Sequence, residues 1–430
     1  MTNDRLRLLF CDHLNLARGK YLPASKMLSD GSSRFAQALF GVTYDKDLIP
    51  AAGSRFFDGA PDMQAVYKVA EIREGWEPNT KTVVGDLQEA DGSPLPMCSR
   101  TALKRAVADW QALGYRAKVG LELEAFAFQK EPDGKLTPYN TPGSYVYSTG
   151  RLADPWRFVD AIWNQAEKSG FKIECATTEY DTPQYEFTLV YDDAVKAVDD
   201  FFLFRLMARE IALEHGIVLT SLPKPFPNKG GSGIHVNFSL WDKGGRNAVG
   251  NAAGGIAGMT GLAKSCVAGL MHHHQGMAGL IAPSVNSYQR LKPASMSGYW
   301  QNWGGDHRGV TTRISAEGGA KSRIEHRMGD GAANPYVLVA TVLQAARLGA
   351  VHQYPLGPAE TGDGFTRNDA TVGVAGTLGE ALDALAADTA LSAAIGETLV
   401  ANHIDIKRNE IEKTATLEGD ALRDFYIYYV

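Results

Sequence analysis

Apolar and polar positions alternate along Ser322–Met328. In an extended chain Arg323, Glu325 and Arg327 point one way, and Ile324, His326 and Met328 the other. Two guanidinium groups flanking a carboxylate on one face is not a core pattern, because charges are rarely buried unless paired or bound to an ion. The plain alternative is a solvated strand face carrying a ladder of ion pairs. The period then changes. Asn334-Pro335-Tyr336 opens a long apolar helical run, Val337–Ala350, with Pro335 in the first turn where its missing N–H costs little. A charged strand face running straight into a buried helix describes the floor of an active site backed by the core.

The same reading along the rest of the chain predicts a small, mostly β N-terminal unit ending near Ser99, so that residues 1–99 and 100–430 divide. Leu6–Leu22 reads as a strand, a turn at Asn15–Gly19 and a second strand. Ser32–Pro61 reads as loop with short structure, dense in turn formers towards its end, and Thr82–Leu87 as a short strand. Arg100–Leu113 is an amphipathic helix stopped by Gly114, and Ala117–Phe128 a strand. Asp154–Ser169 is a helix, Lys172–Leu189 a strand broken at Pro183, Ala194–His215 a long helix and Ile234–Leu240 a strand. Ala248–Leu270 reads as a helix packed inside the protein; Asn251, Lys264 and its many glycines argue against a membrane span. The C-terminal third is helical, with one amphipathic helix over Leu378–Ala394, another over Lys407–Lys413 and an aromatic tail.

Composition adds boundaries. A chain of 430 residues with 44% apolar and 21% charged residues is long enough for a large core and ordinary for a soluble globular protein. A net charge of −6 argues against broad nucleic-acid binding, though not against a local basic pocket for a phosphorylated ligand. The four cysteines are scattered and form no CxxC pair, which fits reduced cytosolic thiols; no signal-peptide pattern is present, so a cytoplasmic protein is expected.

The chemistry-bearing residues are carboxylates and arginines. Glu122 and Glu124 sit two apart in the strand G-L-E-L-E-A-F, so they share a face. Like charges there repel unless something positive lies between them, and a divalent cation is the simplest answer; an exposed strand face is the plain alternative. Glu179 and Glu186 bracket T-E-Y-D-T-P-Q-Y-E, a segment that Pro183 can bend so that they converge. The Gly-rich turn at Lys229–Gly233 enters a strand on which His235, Asn237 and Ser239 alternate onto one face. Arg290, Arg308, Arg313, Arg323 and Arg327 supply cations. Carboxylates hold Mg²⁺ or Mn²⁺ and arginines neutralise phosphate and carboxylate oxygens, which together is what phosphoryl transfer needs. The plain alternative is a set of ion pairs scattered over the surface. There is no Walker A sequence.

Taken together and in order, six motifs resemble the glutamine synthetase family. G-L-E-L-E-A-F resembles its G-x-E-x-E-F, E-Y-D-T-P-Q-Y-E its E-x-x-x-G-Q-x-E, and G-G-S-G-I-H-V-N its N-G-S-G-M-H-x-H. V-N-S-Y-Q-R-L resembles N-S-Y-K-R-L, D-H-R-G-V-T-T-R resembles N-R-S-A-x-x-R, and S-R-I-E-H-R-M-G-D-G-A-A-N-P-Y resembles R-I-E-x-R-x-P-D-x-x-A-N-P-Y. The resemblance implies an α+β fold, with an N-terminal β-grasp domain and a catalytic domain built on an antiparallel sheet with flanking helices. It also implies stacked rings, usually dodecameric, with active sites between neighbouring subunits. By motif position, Glu124, Glu179 and Glu186 would hold one metal, and Glu122, His235 and Glu325 the other. Gly231, Arg290 and Arg327 would hold L-glutamate. Arg308, Arg313 and Arg323 would face the ATP phosphates, with Asn237 and Ser239 beside the nucleotide. The implied reaction activates glutamate as γ-glutamyl phosphate and then transfers it to an amine.

Four departures bear on that expectation. Pro183 replaces a Gly, Asn237 replaces a His, and no tyrosine loop of the adenylylated kind is found. Most telling, the Glu that helps form the family's ammonium site is Met296 here. An apolar thioether favours an amine with a small apolar group, so methylamine is the expected substrate, with Tyr299, Trp300 and Trp303 as candidate walls. Ammonium and polyamines are the alternatives, the latter if Asp58 or Asp62 of a neighbouring subunit reaches the site. Glu186 is the expected base that takes the amine's proton, with Asp58, Asp62 and Asp181 as rivals. A ring that has lost activity would be expected to have lost some metal positions; all six are retained.

Overall fold

The computed structural model describes residues 4–430. The N-terminal strands are β1 (Arg5–Cys11), β2 (Ala17–Pro23), β3 (Gly31–Ala36), β4 (Asp62–Tyr67), β5 (Arg73–Glu74), β6 (Thr80–Val84) and β7 (Asp86–Gln88). They form a four-stranded sheet in the order β2-β1-β6-β5, with β1 and β6 parallel, and a three-stranded sheet β3-β4-β7. Two expectations shift here. Arg18-Gly19-Lys20 lies inside β2, because the buried Asp12 makes the turn earlier, its carboxylate accepting from the N–H of Leu14 (2.9 Å) and Leu16 (2.8 Å). Part of the expected loop after Ser32 is the strand β3.

The larger part begins with α1 (Ser99–Ala112), β8 (Arg116–Lys130), β9 (Leu136–Pro138) and α2 (Phe158–Lys168). Then come β10 (Ile173–Thr178), β11 (Gln184–Leu189), β12 (Asp192–Asp193), α3 (Ala194–Glu214), β13 (Ile217–Thr220) and β14 (Ile234–Trp241). Helix α2 starts later than its Asp-Pro suggests: the Asp154 carboxylate reaches forward to the N–H of Val159, and Arg157 has a positive φ of 61°. The run 248–260 is irregular apart from one 3-10 turn at Ile256–Gly258, and α4 (Gly261–His272) starts only where Thr260 caps the N–H of Ala263. After α5 (His274–Ile281) and α6 (Ser287–Arg290) come three short strands, β15 (Trp303–Gly305), β16 (Thr312–Ile314) and β17 (Ile324–His326).

Asn334 caps α7 (Pro335–His352) by accepting from Tyr336 and Val337, as its N-P-Y start predicts. The expected single helix over Leu378–Ala394 is two, α8 (Leu378–Ala387) and α9 (Thr389–Ile395). Asp388 breaks it: one carboxylate oxygen caps the N–H of Leu391 (3.1 Å) while the other meets Nδ1 of His273 (2.7 Å). Helices α10 (Glu397–Thr414) and α11 (Gly419–Tyr426) complete the fold.

The strands of this part form one sheet in the order β10-β11-β8-β14-β17-β16-β15, antiparallel except for the last pair, with β9, β12 and β13 also on β8. Strand β8 is the axis, because its length lets it pair along both edges. Its buried alternation (Val119, Leu121, Leu123, Ala125) faces α3 and the main core. The opposite face carries Glu122 and Glu124. Helix α7 is buried almost all round, which is why its sequence is apolar without a polar stripe. No helix among the described residues is long and apolar enough to cross a membrane. The cysteines are free, with Cys11, Cys98 and Cys266 buried and Cys175 exposed.

Candidate active site

The strand register assembles the site. Glu186 on β11 stands directly opposite Glu124 on β8, and Glu122 on β8 directly opposite His235 on β14. Further along the sheet Asn237 faces Glu325, and Glu325 faces Arg313. Because side chains alternate with period two, these all rise from one face. Two groups of ligand atoms result, Glu122 with His235 and Glu325, and Glu124 with Glu179 and Glu186, the atoms of each lying within 4.8 Å of one another. They are the two sets the motif positions imply.

His235 sits among these carboxylates. Its Nδ1 is 2.7 Å from Glu122 and 3.6 Å from Glu325, and its Nε2 is 3.6 Å from Glu124. Burial opposes the charge of Glu122, but the hydrogen bond and charge of His235, helped by Asn237, outweigh it and hold that carboxyl down at about 2. Glu186 goes the other way: burial, then the charges of Glu122 and Glu124, push it up to about 8. Glu179 is raised by burial and by Glu124. Carboxylates packed this closely hold their protons unless a cation takes their place, which is the environment a divalent metal requires. The donor set, carboxylate oxygens with one imidazole, suits Mg²⁺ or Mn²⁺.

The cations lie beside them. Glu325 is buried and sits between Arg327 (2.6 Å) and Arg313 (3.1 Å), so this is no solvated ladder. Both arginines keep a buried Nε–H with no partner among the described residues, a donor that an anion could take up. Arg323 donates to the Asn237 side chain (3.2 Å) and pairs with Glu317 (3.0 Å). Arg290 is buried and gives its donors to the carbonyls of Met328 (2.9 Å) and Arg327 (3.2 Å). Glycine makes room for it. A Cβ on Gly231 would lie 2.8 Å from Cγ of Arg290, and one on Gly233 only 2.6 Å from its Nη2. The Gly233 N–H also donates to Glu124 (2.6 Å).

Some of these residues line a cleft of about 690 Å³. Its walls include Glu124, Glu179, His235, Gly231, Arg290, Arg327 and Met296. Beyond it, Ser239 accepts from Nε1 of Trp241 (3.0 Å), and Lys118 lies over the rings of Trp241 and Tyr191.

Some expected residues fall elsewhere. Asp58 is exposed and paired with Arg55, and Asp62 opens β4; neither lines the cleft of its own chain. Arg308 is exposed on the turn between β15 and β16. Tyr299, Trp300 and Trp303 do not wall the cleft. Trp303 is buried, donating to the carbonyl of Gly357, and Tyr299 packs on Gly373. The aromatic side chains that do line it, Tyr180 and Phe365, went unread in the sequence. Lys224 lines it as well, and so does Lys229 of the Gly-rich turn. Phe365 lies in a stretch of turn formers, T-G-D-G-F-T-R-N-D, and a lone aromatic there was the available signal.

Comparison with known proteins identifies the family. A protein-family model described as glutamine synthetase, catalytic domain, matches residues 96–425. The chain is 28% identical over 417 residues to the glutamine synthetase of Pyrococcus abyssi, spanning 95% of this chain and 90% of the relative. It is 32% identical over 424 residues to the gamma-glutamylethanolamide synthetase GlnA4 of Streptomyces coelicolor, spanning 95% and 89%. A solved structure described as a GmaS/ADP complex superposes with a TM-score of 0.84 at 26% identity, covering 99% of this chain and 97% of that one. The chain belongs to the glutamine synthetase family. Within it, the protein is an ATP-dependent glutamate ligase with GmaS among its structural neighbours. The family uses ATP and divalent metals.

Proposed function

We propose that the enzyme joins the γ-carboxylate of L-glutamate to methylamine, giving γ-glutamylmethylamide by way of γ-glutamyl phosphate. The observation that carries this reading is Met296 in the cleft wall, where the family pattern has a glutamate. Ammonium needs acidic neighbours to bind and to lose a proton; a thioether offers neither, but it can cover a methyl group.

Arg290, Gly231 and Arg327 would hold glutamate, with its γ-carboxylate towards the carboxylate cluster. Arg308, Arg313 and Arg323 would face the ATP phosphates, with Asn237 and Ser239 beside the nucleotide and Lys118, Tyr191 and Trp241 around its base. A glutamate oxygen attacks the γ-phosphorus as the bond to the ADP oxygen breaks. The arginines meet the charge that spreads over the phosphoryl oxygens. The amine nitrogen then attacks the γ-carbonyl carbon and phosphate leaves. An alkylammonium has no lone pair, so a carboxylate must first take its proton. Glu186 is the candidate, with Asp58 and Asp62 of a neighbouring copy as alternatives. Two divalent ions, Mg²⁺ or Mn²⁺, in the two carboxylate sets would supply the remaining positive charge.

A polyamine would need a free carboxylate for its distal ammonium. Asp181 lines the cleft, but its carboxylate accepts from the Gly230 N–H and attracts Lys224. We expect a cytoplasmic homo-oligomer of stacked rings, a dodecamer. Phosphate release with ATP, Mg²⁺ and glutamate, measured across ammonium, methylamine, ethylamine, isopropylamine, putrescine and ethanolamine, tests the reading. The highest kcat/KM should fall to methylamine, and a strong preference for ammonium would sink it.

A further inference from the structure

We infer that Phe365 sets which amines the cleft accepts, as the tip of a braced arm, residues 360–370, fastened to the turn that carries Arg308. The inference rests on the amine-ligase reading and names the element that would measure the amine's alkyl group.

Phe365 is 45% exposed and Met296 42%, yet both line the same cleft. Two large apolar side chains left half in water at a site full of charges form a surface that an alkyl group can cover.

The arm is not a loose loop. Glu360 is buried, and its carboxylate accepts from the backbone N–H of Asp369 (2.7 Å), Gly362 (2.8 Å) and Ala370 (3.3 Å), and from the Asn302 side chain (3.1 Å). Asp363 accepts from the N–H of Phe365 itself (2.7 Å), Thr366 (2.7 Å) and Arg367 (3.1 Å). Two carboxylates thus pin both ends of the turn that carries the ring.

The arm is also tied to the opposite turn. His307 Nε2 lies 2.7 Å from the carbonyl of Gly362. Gly364, at φ +82°, packs against Gly309 so closely that a Cβ on Gly364 would stand 2.7 Å from the Gly309 Cα. Arg308 lies between His307 and Gly309. The apolar wall and an arginine assigned to the phosphates are therefore one unit. Such a unit would cover the methyl group of methylamine, offer ammonium nothing and meet a branched alkyl group with its ring. It would also shield the acyl phosphate from water, whose attack would release phosphate without amide.

The test is amine selectivity of the full-length enzyme with Phe365→Ala and Phe365→Trp, assayed with ATP, Mg²⁺ and glutamate. In Phe365→Ala the isopropylamine-to-methylamine ratio of kcat/KM should rise about ten-fold or more, the scale of a small apolar contact. The change should fall on KM for the amine, with KM for ATP and glutamate held within about two-fold, which a merely structural role would not produce. Phosphate released per amide formed should rise. Phe365→Trp should move the ratio the other way, and it reads the inference even if the alanine variant does not fold. Unmoved ratios in a methylamine-preferring enzyme would overturn the inference alone. A wild type that prefers ammonium would overturn the reading beneath it.

Discussion

Glu186 lies directly opposite Glu124 across the antiparallel β8–β11 pair, and both belong to one group of metal-competent ligands. Like charges in that position are destabilising unless a cation separates them or one carboxyl keeps its proton. Removing metal should therefore cost both activity and stability. At a free Mg²⁺ or Mn²⁺ concentration one hundred times its Kd, folding gains about 2.7 kcal/mol, read as a raised Tm that EDTA reverses. Glu186→Gln should melt no lower than the metal-free wild type, because a carboxyl pushed up to about 8 is already largely neutral at pH 7, while its turnover falls about a hundred-fold. A variant with normal turnover would remove Glu186 from the site.

Gly233 gives Arg290 its space. In Gly233→Ala the new Cβ would be 2.6 Å from Nη2 of Arg290 and 3.1 Å from Nε2 of His235. Displacing a binding guanidinium by an ångström can cost on the order of a hundred-fold. The expected loss is in kcat/KM for glutamate, measured at saturating ATP and amine, with an unchanged circular dichroism spectrum. Unaltered glutamate kinetics would take Arg290 out of glutamate binding.

Met296→Glu should restore an acidic neighbour to the amine. We expect the ammonium-to-methylamine ratio of kcat/KM to rise about ten-fold. A ratio that stays put would mean that the side chain at this position does not choose the amine.

Three buried histidines make the fold acid-sensitive. Burial holds His274 down at about 4, and His326 and His403 at about 3. In the unfolded chain they titrate near 6.5, so between pH 6.5 and 4 unfolding takes up protons that the folded protein does not bind. The histidines' contribution to stability should be level above pH 7 and fall as the pH drops through 6.5 towards 4, while the raised carboxyls of Glu186 and Asp330 act in the opposite sense. Denaturant midpoints measured from pH 7.5 to 5 give the net slope, and the histidine part of it is read from a variant. His403→Gln, which can still donate to the carbonyl of Gly279, should make it shallower. An identical slope would show that His403 is already protonated in the fold.

The residues whose chemistry follows from strand periodicity were legible in the sequence. Alternation on β8, β14 and around Glu325 put Glu122, Glu124, His235, Asn237, Arg323 and Arg327 on shared faces, and the register then brought those faces together. What stayed hidden depends on contacts distant in sequence. Asp388 splits a continuous amphipathic pattern because His273, far away in the chain, binds its other oxygen. Tyr299, Trp300 and Trp303 follow Met296 closely, but the chain turns through Gly298 at φ +81° and carries them away from the cleft. Phe365 comes to it from a loop far from every motif, held by Glu360 and Asp363. Proximity in sequence misled for the three aromatics after Met296 and gave no hint of Phe365.

The most direct test of the account is a competition. The enzyme is supplied with ATP, Mg²⁺ and glutamate and with ammonium and methylamine at equal concentration, and the products are counted by mass spectrometry. The ratio of γ-glutamylmethylamide to glutamine is then the ratio of the two kcat/KM values. An excess of the methylamide is the predicted result. An excess of glutamine would contradict the account and make this chain a glutamine synthetase with an apolar residue in its amine site.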